Sequence, residues 1–293
     1  FLYTVMRDRF DYMLAMQARK AGATLLQGHE VDSVNISLKK AEVGTPAGYF
    51  HSKFVVGADG ANSIVARSLD LKSKNQLIAA MEAEIIVPDA EMERWRSQVT
   101  LDIGCIRGGY GWVFPKLDHL SVGLACHSSK AKSLKGCYQD FLRSLNLEHY
   151  SVSMLTGSLI PVCTGKATVS QGRAALLGDA AGLVDPLTGE GIYNAILSAR
   201  LAAPVIEEAL LSNETELIDY QRAVEKEIYP EMKVANFLSK VFVRLPLIVF
   251  EALNRDDRAW RNSCCLLRGE TSYTTIKQKL GLLGGIYAFL SIK

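Results

Sequence analysis

Apolar residues recur at three- and four-residue spacing through Phe10, Met13, Leu14 and Ala18, which predicts a helix over residues 8–21, stopped at Gly22. Short apolar runs at 24–26 and 31–38 predict strands, and the polar, glycine-containing stretch 39–48 suits a hairpin turn. A further run at 53–56 leads into Gly57-Ala58-Asp59-Gly60, a strand ending in a glycine-flanked acid. Ala61-Asn62-Ser63 then offers a cap for a short helix running through Arg67.

From about residue 78 the texture changes. Strand-like runs at 80–87, 99–106, 111–114 and 120–126 precede a helix near 134–145 and a strand near 154–160. Neighbouring strands before one helix predict a mainly antiparallel sheet. The run Ala174-Ala175-Leu176-Leu177 reads as a buried strand, although its length also permits a helix turn, and a helix follows over 192–211. Helical pattern continues to about residue 253, broken at Pro230 and Pro246, with a last short helix at 272–280. This order predicts a layered α/β domain (1–77 and 161–211) interrupted by an inserted sheet domain (78–160), with a helical region at 212–293.

With 48% hydrophobic and 22% charged residues the chain is globular rather than disordered. A net charge of +2 without a dense basic stripe argues against a nucleic-acid partner. Cys105, Cys126, Cys137, Cys163, Cys264 and Cys265 lack paired CxxC spacing, so no metal site is expected and buried thiols in a reducing cytosol are the reading. The apolar stretches 237–253 and 280–290 fall short of a spanning helix, the first because Lys240, Arg244 and Pro246 interrupt it, the second because spanning takes ~20 residues. Either they cover a core or they lie on a membrane surface.

The chemistry concentrates between Gly178 and Ala195, GDAAGLVDPLTGEGIYNA. A glycine-rich loop feeding a helix N-terminus presents N–H groups and a positive dipole end to an anionic or carbonyl-rich ligand. Asp179, at the strand end, is placed to accept hydrogen bonds from sugar-like hydroxyls. A purely structural turn with tightly packed glycines fits the same residues.

Four ordered motifs resemble the flavoprotein monooxygenase and reductase superfamily with the p-hydroxybenzoate-hydroxylase-like fold, and within it the geranylgeranyl reductase family. VVGADGANS (55–63) is similar to the second flavin motif, whose Asp-Gly pair also serves a pyridine nucleotide; GDAAGLVDPLTGEG (178–191) is similar to the third. YGWVFPK (110–116) with HLSVGLA (119–125) resembles the reductases' YxWxFP signature, and VMRDRFD (5–11) their VxRxxFD. The resemblance implies an FAD/NAD(P)-binding Rossmann-like domain of α/β (α+β) class interrupted by a mainly antiparallel substrate domain, with a helical C-terminal tail. It implies FAD contacts from Arg7, Asp59, Gly60, Gly178, Asp179, Ala180, Pro186, Gly189, Gly191 and Ile192. Among these, Asp179 serves the ribityl hydroxyls, Gly189, Gly191 and Ile192 serve as backbone donors, and Arg7 pairs with Asp59. Two departures stand out: Arg107 replaces the family proline, and the arginine expected after Ser-x-Val is displaced to Arg67. No strand-GxGxxG-helix unit is present among the residues, so the resemblance implies that such a segment precedes Val5 in a longer protein.

Alternation puts Tyr110, Trp112 and Phe114 on one strand face. Ordinary core is one reading; under the resemblance they form, with Pro115, the wall of an apolar cavity for an isoprenoid chain. The implied activity is reduction of C=C bonds of geranylgeranyl or polyprenyl groups on a lipid or tetrapyrrole precursor, with NADPH or reduced ferredoxin as electron donor. The proton source is Tyr110 or a bound water. An FAD-dependent monooxygenase or halogenase is the alternative within the fold, and a flavin-free fragment or interaction module the alternative outside it. A cytoplasmic protein, peripheral at a membrane, is the expected location.

Overall fold

The computed structural model describes residues 4–71 and 76–278. They form two compact units, Phe1–Gly28 with Ala79–Ser158, and His29–Ile78 with Leu159–Lys293. The borders at 78/79 and 158/159 fall within two residues of the positions where the hydrophobic texture changes, while segment 1–28 clusters with 79–158 rather than with 29–78.

In chain order, helix α1 (Arg7–Lys20) is followed by a three-stranded antiparallel sheet of β1 (Ser33–Ile36), β2 (Ala41–Thr45) and β3 (Gly48–Ser52). Strand β4 (Val55–Gly57) leads into α2 (Ile64–Ser68). Then come β5 (Gln76–Ile86), α3 (Asp89–Trp95), β6 (Thr100–Asp102), β7 (Gly109–Pro115), β8 (Leu120–His127), α4 (Ala131–Leu145) and β9 (Ser151–Val162). Short strands β10 (Ser170–Gln171) and β11 (Ala174–Leu176) precede α5 (Ile192–Ser212), α6 (Ile218–Glu227), α7 (Tyr229–Arg244), α8 (Pro246–Arg255) and α9 (Asp257–Leu267).

The first unit holds a five-stranded sheet, order β6-β7-β8-β5-β9, with β6-β7 and β7-β8 antiparallel. One face of it packs on α4: Ala79, Ala83, Ile85, Val113, Val122 and Leu124 close over Tyr138, Phe141 and Leu142. Helix α1 forms where its periodicity predicts, yet none of its residues is buried and Met13 and Leu14 are exposed.

In the second unit β11 pairs in parallel with β4, and the β10-β11-β4 sheet packs through Ala175 and Leu176 against Val65, Ala202, Tyr220 and Val224. Arg173, buried beside β11, donates to the carbonyls of Leu38 (2.7 Å) and Lys53 (3.1 Å) and lies over the Phe54 ring, tying the β1-β2-β3 sheet to this strand.

Some expectations shift. Residues 24–26 form no strand, since no ladder partner reaches them among the described residues. The stretch 39–48 is not one turn: Ser37 closes a tight turn on Lys40, and β2 follows before a second turn at 46–47. The strand expected over 99–106 ends at Asp102, whose carboxylate accepts the Gly104 and Cys105 amides and turns the chain. Helices α3 and α9 were not expected from the pattern. Pro230 and Pro246 lie in the first turns of α7 and α8, where a missing N–H costs nothing. The apolar stretch 280–290 lies outside the described residues, as do the last two residues of the helix expected over 272–280.

None of the six cysteines is in a disulfide; Cys126 and Cys163 are buried and the other four are half-buried. Burial pushes the Cys163 thiol up to about 11 and the Cys105 thiol up to about 12.

Candidate functional site

Two adjacent parallel strands position the acidic motifs. Gly57 of β4 pairs with Leu176 of β11, and the Leu177 amide donates to the Gly57 carbonyl at 2.8 Å. Asp59 and Asp179 therefore leave neighbouring carboxyl ends of one sheet, the edge at which open α/β sheets receive ligands. The strands approach closely because position 57 is glycine: a Cβ there would meet Leu176 and Val65 at 2.8 Å.

After β11 the chain makes a single 3-10 turn, Gly178–Ala181, closed by the left-handed Gly182. Gly178, itself at φ +50°, donates its amide to Ser198 on α5 at 3.1 Å, and Tyr220 donates to the Leu176 carbonyl at 2.7 Å. Asp179 lies against Gly191, where a Cβ would stand 3.0 Å from its Oδ1. Gly178, Ala180 and Pro186 are buried within the loop's own packing, whereas Asp179, Gly189, Gly191 and Ile192 are half-exposed.

Asp185 organises the rest of the loop. Its Oδ1 accepts the amides of Leu187 (2.7 Å) and Thr188 (3.0 Å), and its Oδ2 accepts the Tyr273 hydroxyl at 2.7 Å. Tyr273 is buried, and burial together with the facing carboxylate holds its phenol well above the usual tyrosine range. The Asp-Pro-Leu-Thr sequence carries a local signal for the Asx turn. Nothing local announces Tyr273, which arrives from 88 positions away.

The expected backbone donors are partly engaged. Gly189 donates its amide to the Asp185 carbonyl at 2.9 Å. The α5 amino end is not bare, because the Glu190 carboxylate accepts the Tyr193 amide at 2.9 Å and is favoured by the Ile192 amide too. Although the residue is exposed as a whole, desolvation of its carboxyl beside the loop, with Asp185 and Asp179 near, raises it above its ordinary range. Asp59 likewise serves its own chain: its Oδ2 accepts the Ile64 amide at 2.6 Å, while Ser63 Oγ accepts that of Ala66. Gly60 is left-handed at φ +74°, with no atom within 4 Å of where a Cβ would stand. Arg7, expected to pair with Asp59, forms a bidentate pair with Asp11 one turn along α1. The two motifs of the first unit do meet, as Thr4 Oγ1 donates to the Pro115 carbonyl and Lys116 Nζ to that of Val5.

On β7 the aromatic residues share a face. Ring centroids lie 6.0 Å apart for Tyr110 and Trp112, and 6.1 Å apart for Trp112 and Phe114. Gly111 and Val113 point the other way, toward Phe141 and α4; on the stripe's own face Trp112 is buried while Tyr110 and Phe114 are half-buried. Across the ladder the same face presents Ala125, Gly123 and Ser121. Gly123 is required there, since its Cβ would fall 2.2 Å from the Trp112 indole. Beyond Phe114 the face turns ionic: Ser121 hydrogen-bonds Glu82, and His119 stands between Glu84 (2.8 Å) and Asp118 (2.7 Å). Burial raises the Glu84 carboxyl, and His119 partly offsets that. Sequence patterning passed over these groups.

Comparisons with known proteins agree with the motifs. A family model described as FAD binding domain matches residues 2–220. The chain is 32% identical over 267 residues to the chloroplastic geranylgeranyl diphosphate reductase of Arabidopsis thaliana, covering 83% of this chain and 56% of that protein. It is 30% identical to the digeranylgeranylglycerophospholipid reductase of Thermoplasma acidophilum, covering 81% and 63%. A solved geranylgeranyl bacteriochlorophyll reductase-like protein, also from Thermoplasma acidophilum, superposes with a TM-score of 0.72 at 24% identity, covering 82% of this chain and 64% of that one. The chain thus spans about six-tenths of the length of these relatives.

The residues present suit the polyol side of FAD. Asp179 is a half-exposed carboxylate at a strand end, and the side-chain-free Gly191 leaves room beside it. Adjacent parallel strands ending in Asp59-Gly60 and Gly178-Asp179, a glycine loop feeding a long helix, and the matching family model converge on one assignment. The chain belongs to the FAD-binding-domain family, in its geranylgeranyl reductase group.

Proposed function

We propose that this chain is part of an FAD-dependent oxidoreductase that reduces C=C bonds of geranylgeranyl or polyprenyl groups carried on a lipid or tetrapyrrole precursor. The observation that carries the reading is the aromatic face of β7. Tyr110, Trp112 and Phe114 stand side by side on the sheet face opposite α4, with Trp112 buried against the Gly123 backbone and Tyr110 and Phe114 half-buried at its two sides. An apolar chain without hydrogen-bonding groups is the ligand such a surface selects. The relatives' names, which specify geranylgeranyl substrates, support the same class.

In this reading segments 1–77 and 161–211 serve FAD, 78–160 serves the substrate, and 212–293 is the helical C-terminal region, whose α6 and α7 pack into the same core as β11. When bound, FAD would supply the hydride, its two electrons coming from NADPH as a hydride or from two reduced ferredoxins one at a time with a proton from water. Asp179 binds ribityl hydroxyls, Gly191 lets the backbone approach, and Gly178, Ala180 and Pro186 hold the loop's shape. Gly189 and Ile192 lend donors only as Asp185 and Glu190 release them, and Asp59-Gly60 and Arg7 border the cofactor. Tyr110, Trp112, Phe114 and Pro115 align the prenyl chain and exclude water. The proton is held by Tyr110 or by a bound water. A cytoplasmic protein resting peripherally on a membrane fits a lipid-soluble substrate; among the described residues no helix is long and apolar enough to cross one.

Anaerobic incubation of the full-length protein that carries this chain with reduced flavin and a geranylgeranyl substrate tests the proposal, and saturated product is the expected result. Oxygen-dependent turnover of an aromatic substrate, without prenyl saturation, overturns it in favour of a monooxygenase or halogenase.

A further inference from the structure

The helices that follow the cofactor loop carry a second surface with a different logic. On α7, Lys233, Phe237, Lys240 and Arg244 recur at four-, three- and four-residue spacing, so all four lie on one exposed face, while Met232 and Ala235 are buried. Helix α8 buries Val249 and Ala252 and leaves Leu247 81% and Phe250 49% exposed. Helix α9 buries Ala259 and leaves Trp260 56% exposed beside Arg261. Large aromatic and aliphatic side chains thus stand in water on three consecutive helices. Among the described residues the exposed Lys240, Arg244, Arg258 and Arg261 have no ion-pair partner, unlike Arg255, which pairs with Glu251 at 2.6 Å.

Exposed Phe and Trp flanked by unpaired Lys and Arg make a surface suited to an interface that is apolar within and anionic at its rim. A soluble protein partner needs a shaped counterpart, whereas a bilayer supplies both properties without one. We infer that α7–α9 form an anionic-lipid docking surface, with Phe237, Leu247, Phe250 and Trp260 entering the headgroup boundary and Lys240, Arg244, Arg258 and Arg261 facing lipid phosphates. This rests on the peripheral membrane location proposed above and gives it a surface, but it does not depend on the reaction, because it uses neither the cofactor loop nor the aromatic strand. Each Lys or Arg near an anionic surface strengthens partitioning about fivefold.

Cosedimentation of the 293-residue chain with phosphatidylcholine vesicles, with and without phosphatidylglycerol, tests the inference. Binding is expected on the anionic vesicles, at least about tenfold weaker on the neutral ones, and lost at ~1 M salt, where the screening length falls to about 3 Å. The triple variant K240E/R244E/R261E should bind at least about a hundredfold more weakly, about fivefold for each of the three cations lost. W260S should weaken binding while leaving the salt dependence in place, and both variants should keep the wild-type unfolding midpoint. Equal binding to neutral and anionic vesicles, no binding at all, or unaltered binding by both variants overturns the proposal. So does self-association in vesicle-free solution that W260S abolishes, which would assign the face to a second copy of the chain. No outcome bears on prenyl reduction, so the two proposals fail separately.

Discussion

The Tyr273 hydroxyl donates to Asp185 Oδ2 at 2.7 Å, both residues buried, and so joins a C-terminal segment to the loop that carries Asp179 and Gly191. Asp185 meanwhile holds that loop from within through the Leu187 and Thr188 amides. Replacing Tyr273 by Phe keeps the ring and deprives a buried carboxylate of one donor. A hydrogen bond to a charged group contributes about 1.5–3 kcal/mol, so Y273F should lower unfolding stability by that amount in a urea titration. Unchanged stability would show that water replaces the hydroxyl.

The aromatic stripe depends on an empty space. A methyl at position 123 would fall 2.2 Å from the Trp112 ring, directly across the ladder. G123A should therefore displace the indole, cost about 1–3 kcal/mol, and alter the near-ultraviolet circular dichroism of Trp112. A spectrum and midpoint like the wild type's would mean that the strand yields instead.

Glu190 provides a pH signature. Desolvation raises its folded carboxyl, with Asp185 and Asp179 adding to the rise, while the Tyr193 and Ile192 amides oppose it. A folded carboxyl above its unfolded value favours the protonated fold. Its contribution is complete below the ordinary glutamate range, about pH 4.3, and is lost as pH rises through the folded value. E190Q keeps an oxygen for the Tyr193 amide without the charge. The stability difference, wild type minus E190Q, should become less favourable to the wild type from about pH 4 upward. A difference that grows in its favour over that window would mean that the carboxylate is stabilised at the α5 amino end.

Much of the architecture was legible because it is written in local periodicity. The α1, α4 and α5 spacings, the β4 and β11 runs and the Ser63 cap all appear where patterning puts them. The pairing of β4 with β11, which brings Asp59 and Asp179 to one sheet edge, was legible only through the resemblance of both motifs to one family. What escaped was long-range or conformational. Residues 24–26 have strand character but find no ladder among the described residues, and Tyr273 reaches Asp185 across 88 positions. The amides of Gly189 and Ile192 already face a carbonyl and a carboxylate of their own loop, which glycine spacing alone does not reveal. Patterning gives Glu82 and Glu84 no role, because their partners Ser121 and His119 lie on or next to another strand and reach them only in the folded sheet domain.

In the function proposed here the loop after β11 receives the flavin's polyol side, and Asp179 is the residue on which this turns. Titration of the full-length protein that carries this chain with FAD, followed by quenching of flavin fluorescence, tests it most directly. Asp179→Ala should weaken binding by about tenfold or more, equivalent to ~1.4 kcal/mol for each factor of ten, with the unfolding midpoint unchanged. Flavin bound equally well by D179A and wild type would contradict the assignment of this loop.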